Sequence, residues 1–149
     1  MKYLVVAIVL FGFVSCQKDK KEYKEIQDAN PTSLQNEIHE GKKLMETHCY
    51  LCHSPNAAEN KGRIAPPMVA IKARYIDKEG YNKEEFVKHV TTFVTHPTED
   101  KMLMYGAVRK YGLMPKQAFP EGSIEKIADF MFDYQIEEPE WFKAHWEGN

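Results

Sequence analysis

Residues 49–53 read Cys-Tyr-Leu-Cys-His. Two thiols three positions apart fall on one face of a helical turn. They can therefore reach the same side of a flat macrocycle and form thioethers with its two vinyl groups. The histidine that follows at once can offer an imidazole nitrogen to a central iron. C-x-x-C-H is the attachment pattern of c-type haem, so Cys49 and Cys52 are candidate thioether positions and His53 a candidate proximal iron ligand. C-x-x-C by itself also fits half a zinc site or a thiol-redox pair. The chemistry requires more: export to where haem is attached, a helix that delivers the turn, and a distant sixth ligand.

The first requirement is met at the N-terminus. Met1-Lys2 precedes twelve almost wholly apolar residues, Tyr3–Val14. That run is shorter than the about 20 residues of a membrane span and reads as a secretory signal. Ser15-Cys16 after it resembles a bacterial lipoprotein processing site, with Phe13 where that motif usually has Leu. The expectation is a lipoprotein-type signal at 1–15 and lipid on Cys16; an ordinary signal peptide or an uncleaved anchor are the alternatives. A lipidated Cys16 accounts for the third of the three cysteines and leaves no disulfide to expect. Residues 16–33 are dense in charge and too poor in apolar side chains to build a core. They read as a flexible tether, or alternatively as a polar helix.

The 149 residues carry 20 Lys+Arg and 22 Asp+Glu, a net charge of −2. Loss of Lys2 with the signal moves this to about −3. Such a balance gives no basic face for nucleic acid. The chain beyond the tether suits one small domain, 34–138, followed by an aromatic tail, 139–149, that holds Trp141, Phe142 and Trp146. No Ser-His-Asp set, phosphate loop or paired-carboxylate motif points to an enzyme.

The elements that position the motif follow from periodicity. Leu34, Ile38, Gly41, Leu44, Met45 and His48 recur at three and four residues, which predicts a helix capped by Thr32 or Ser33 and running into Cys49. Gly41 on its apolar stripe predicts close approach of another element. Asn82 can cap a helix through Phe86, Val90 and Val94 that stops at Pro97. Thr98 can cap another through Met102, Met104, Tyr105, Val108 and Tyr111, with Gly112 at its end. Ser123 can cap a last helix through Ile124, Ile127, Phe130, Met131 and Tyr134, which ends at Glu137-Glu138-Pro139. The fold class expected is all-α.

The series G-x-x-L-M-x-x-x-C-x-x-C-H over Gly41–His53 resembles the N-terminal helix and haem motif of class I monohaem cytochromes c. The resemblance extends over roughly residues 34–136. It implies a cytochrome c-like fold of about four to five helices around one covalent haem c. It also implies that the first and last helices cross at Gly41, with Phe130 (or Tyr134) packed on it. A Pro after the motif would offer its carbonyl to the proximal histidine; Pro66 is that candidate, or else merely a rigid bend. The distal ligand implied is a Met-Pro methionine, here Met114 before Pro115. Met102 is the runner-up. Met104, Met45 and Met131 read as packing residues, and His96 is the bis-histidine alternative. His48 reads as packing against the helix or the haem edge, and His39, His89 and His145 as surface residues. Arg63, Arg74 and Tyr75 are candidates to meet haem carboxylates.

The function expected is a single-electron carrier with a His/Met-ligated haem, held by lipid on the extracytoplasmic, periplasmic side of a membrane. Its partners would be redox donors and acceptors. Lys101, Arg109, Lys110 and Lys116 flank the Met114 loop and could favour an acidic partner. Two alternatives stay open: a cytochrome subunit of a larger reductase or oxidase, and a haem-based gas-binding or sensing protein.

Overall fold

A computed structural model describes residues 39–148. The expected signal at 1–15, Cys16, the tether at 16–33 and the predicted helix start at Thr32 or Ser33 all lie outside the described residues. So do Leu34 and Ile38 of the first apolar stripe.

The described residues form six α-helices and no strand: α1 (Glu40–His48), α2 (Met68–Ala73), α3 (Lys83–Thr95), α4 (Tyr105–Tyr111), α5 (Ser123–Asp133) and α6 (Phe142–Glu147). Five lie within the stretch read as the domain. The sixth is the aromatic tail, which takes the count beyond the four to five expected. Among the described residues no helix is long and apolar enough to cross a membrane.

The architecture rests on α5. It is the most amphipathic element: Ile124, Ile127, Ala128, Phe130 and Met131 are all buried on its inner face. α1 crosses it at Gly41, where a Cβ would stand 2.2 Å from the Lys126 carbonyl oxygen and 2.6 Å from Phe130 Cβ. Only a glycine permits two backbones that close. α3 packs on the same helix through Phe86 and Val90. Of the large side chains most completely withdrawn from water, Met45, Phe86, Phe130, Ile127 and Met131 come from α1, α3 and α5, and Pro67 caps α2. A core built by three helices meeting at one spine follows from that.

Local chemistry explains the boundaries. α1 begins at Glu40, because the His39 ring accepts from the Gly41 N–H at 3.1 Å and acts as its cap. Gly41 therefore sits in the first turn, not mid-helix as the sequence periodicity suggests. The His39 ring packs against Phe130 and Tyr134, so it is not the surface residue expected. Asn82 caps α3 with a reciprocal capping box to Glu85. The helix expected from Thr98 does not form as one piece. A single 3-10 turn covers Glu99–Lys101, Met102 is extended, and α4 starts only at Tyr105. Gly112 ends α4 at φ 83°, a conformation that favours glycine. Ser123 is the first residue of α5 and Gly122 its cap; the Ser123 hydroxyl donates instead to the Pro120 carbonyl. α5 stops at Asp133, earlier than Pro139 would require.

The tail packs back onto the domain. Phe142 is buried against Ala70 and Ala73 of α2, with Trp146 stacked on it at 5.6 Å. The Trp141 indole N–H donates to the Ala57 carbonyl at 2.9 Å, and His145 pairs with Glu59 at 3.0 Å. The tail thus closes over the loop between the motif and α2.

Candidate functional site

The motif lies directly after α1. Cys49 is the helix C-cap, and the N–H groups of Cys52 and His53 both donate to its carbonyl, at 3.1 and 2.8 Å. The five residues are one hydrogen-bonded turn. Cys49, Cys52 and His53 all line an apolar cavity of about 260 Å³. Every helix from α1 to α5 contributes to its wall: His48, Met68, Val90, Val108 and Ile127 are examples.

Protonation fits the chemistry the motif suggests. Burial, with the neighbouring Cys52 adding to it, pushes the Cys49 thiol up to about 11. That favours the neutral thiol at physiological pH, whereas a thiol-redox site calls for a depressed value. Among the described residues no three His, Cys, Asp or Glu side chains converge into a chelating group. His53 is held below the ordinary imidazole range by burial, against the opposing pull of the Pro66 carbonyl. His53 Nδ1 and the Pro66 oxygen are 2.7 Å apart. A carbonyl can only accept, so Nδ1 carries the proton and Nε2 keeps a free lone pair. That is the tautomer an iron ligand needs, with its ring orientation fixed by a second bond.

Met114 lines the same cavity, as do Leu113 and Pro115 beside it. Met102 and Met104 also line it, from the extended segment before α4. Their expected role as helical packing residues is therefore replaced by a place in the cavity wall. Met45 and Met131 are fully buried in the helix core and are not among the lining residues. His96 is exposed and bonded to Thr95, away from the cavity. His48 borders the cavity with its ring edge-on to Phe119. Tyr75 is buried and lines the cavity, whereas the Arg74 guanidinium is paired with Glu79. Arg63 precedes the lining residues Ile64–Pro66 and packs over Trp141.

One arrangement had no signal in the sequence. Lys42 on α1 is buried and pairs with Glu137 at 3.1 Å, and the Tyr50 hydroxyl, inside the motif, donates to the same carboxylate. Burial alone would raise the Glu137 carboxyl; the bonds from Tyr50 and Lys42 overrule it and hold it below the usual range. The segment after α5 is thereby pinned to the haem-motif turn. Periodicity cannot reveal a pair 87 residues apart.

The donor set therefore suits a covalent haem. Two thiols on one turn, a singly protonated imidazole and several thioether sulfurs share one apolar enclosure. Comparison with known proteins agrees. The family model described as "Cytochrome c" matches residues 38–131, more than half of the chain. A search of curated proteins found no match, and a search of solved structures found none either.

Proposed function

The chain belongs to the cytochrome c family, and from that premise we propose a single-electron carrier whose haem is held by His53 and Met114 and tethered by lipid outside the cytoplasm. Family membership gives one covalent haem c as cofactor and a haem-based electron carrier as the function. The group supplies a one-electron iron couple when bound. What this chain adds is the hold on it. Cys49 and Cys52 supply the thioether sulfurs. His53 supplies Nε2, and the Pro66 carbonyl keeps the proton on Nδ1. Met114 supplies a soft neutral sulfur, which raises the potential relative to a second histidine.

The observation that carries the reading is the enclosure itself: Cys49, Cys52, His53 and Met114 line one apolar cavity. With both His53 and Met114 holding the iron, no position would be left for substrate, and the protein's task would be to set the potential and dock partners. Lipid on Cys16 and a tether over 16–33 would keep the domain on the extracytoplasmic face of a membrane, within reach of donors and acceptors there. The support is the apolar run before Ser15-Cys16 and the charge-dense stretch after it.

Two spectra test the ligand assignment. Ferric holoprotein should show the weak long-wavelength band of methionine–iron ligation, and ferrous holoprotein should resist carbon monoxide. Rapid carbon monoxide binding by the native protein would favour the gas-binding reading instead. Cell fractionation with Cys16→Ser tests the tether: the variant should leave the membrane fraction.

A further inference from the structure

The family match ends at residue 131, and the chain beyond α5 returns to the motif. Ile136 packs into the main core, and Glu137 binds Lys42 and the Tyr50 hydroxyl. Phe142 of α6 is buried with Ala70 and Ala73 of α2 in a second, smaller cluster. From that footing Trp141 reaches the loop between the motif and α2. Its indole N–H donates to the Ala57 carbonyl at 2.9 Å, and its ring centre lies 4.4 Å from the guanidinium carbon of Arg63. His145, one turn on, pairs with Glu59 at 3.0 Å. The stretch that carries His53 is thus gripped on both sides, at Tyr50 before it and at Ala57 and Glu59 after it.

The loop has little else to hold it. Among the described residues, residues 54–66 neither donate nor accept a backbone–backbone hydrogen bond. The bond from the Asn56 N–H to the Ser54 hydroxyl is purely local. A backbone without a ladder keeps its place through the side chains that reach it, and here those come from the tail. The loop ends at Pro66, whose carbonyl is 2.7 Å from His53 Nδ1. Pro66 stands between the two things the tail holds: the loop, fastened by Trp141, and α2, capped by Pro67 and packed against Phe142. We propose that the segment beyond α5 is a strap for the proximal ligand, in which Trp141, seated by Phe142, is the positioning residue that keeps the Pro66 carbonyl on His53. The inference rests on the haem reading above, in which His53 binds the iron.

A ring held from its far nitrogen keeps its tautomer and orientation. Where the loop slackens, the carbonyl drifts and the Nδ1 proton meets water. The Phe142 cluster is separate from the core shared by α1, α3 and α5, so a slack strap leaves those helices packed. The experiment is hydrogen–deuterium exchange by nuclear magnetic resonance on purified ferrous holoproteins. It reads the His53 Nδ1 proton beside the backbone amides of α5 in native protein, Trp141→Phe, Phe142→Ala and Phe142→Leu. A haemochrome spectrum first establishes covalent haem; a native protein without it would overturn the haem reading and this one with it, whereas the exchange rates decide this one alone. Trp141→Phe keeps an aromatic ring over Arg63 but loses the N–H. Its Nδ1 proton should exchange roughly fivefold faster, the worth of about one hydrogen bond. Phe142→Ala should exchange it faster still, and Phe142→Leu, which keeps the burial, should stay near the native rate. The α5 amides should keep their native rates throughout. Equal acceleration at Nδ1 and in α5 would mean that the tail only stabilises the fold as a whole, and would overturn the proposal. Native Nδ1 exchange in Trp141→Phe would overturn it too, and that variant decides even where Phe142→Ala fails to fold.

Discussion

Protonation decides what the residues of the motif can do. A Cys49 thiol pushed to about 11 favours the neutral form, and Cys49 would supply one of the two sulfurs that hold the haem. An imidazole held neutral by burial, with Pro66 on its far nitrogen, is a ready ligand. At the distal side the cavity offers Met102, Met104 and Met114, and the loop position before Pro115 favours Met114. Met114→Ala should therefore abolish the methionine–iron band and lower the potential, while Met102→Ala keeps both. Glu137 gives a pH prediction. Its folded carboxyl is depressed by Tyr50 and Lys42, so in the acid range the unfolded chain binds more protons than the folded one. The stabilisation is complete above the ordinary carboxylate pKa and is lost as pH falls through the depressed value. Glu137→Gln should lower stability near neutral pH and flatten that acid slope, as read by urea denaturation at a series of pH values. The motif residues could be picked out from their types and spacing alone. The Glu137 clamp could not, because its partners meet only after α1 and the segment beyond α5 have packed.

At the scale of elements, the crossing of α1 and α5 is the feature most sensitive to a single methyl group. Gly41→Ala would place a Cβ at 2.2 Å from the Lys126 carbonyl, so the helices must part. The expected cost is about 1–3 kcal/mol or more, the range for overpacking a core, measured by denaturant unfolding of the holoprotein. Loss of the α3 capping box in Asn82→Ala should cost about 1 kcal/mol and leave the absorption spectrum unchanged. Both features could be foreseen: a glycine on an apolar stripe has few other uses, and Asn82 precedes a clean helical period. The helix expected after Thr98 failed for a physical reason. Met102, Leu103 and Met104 are apolar because they line the cavity, not because they share a helix face. A cofactor site supplies its own demand for apolar residues and breaks the period that surface helices show.

Over the whole molecule, one apolar space takes side chains from α1 to α5, and a tail packs over α2 and the loop before it. A core arranged around such a space depends on what fills it. A chain that cannot attach haem, Cys49→Ser with Cys52→Ser, should melt well below the holoprotein and less cooperatively, as followed by circular dichroism. The exposed cations Lys101, Arg109, Lys110 and Lys116 flank Met114 in the sequence. If they steer an acidic redox partner, electron-transfer rates should fall as ionic strength rises. Rates indifferent to salt would remove the charges from that role. The central claim is tested most directly by the intact mass of the denatured protein purified from a host that exports it and matures haem. The mass should exceed that of the processed polypeptide by one haem, with Cys49 and Cys52 both refractory to alkylation. A polypeptide of unmodified mass whose two motif thiols alkylate freely, from cells that attach haem to another c-type protein, would contradict it.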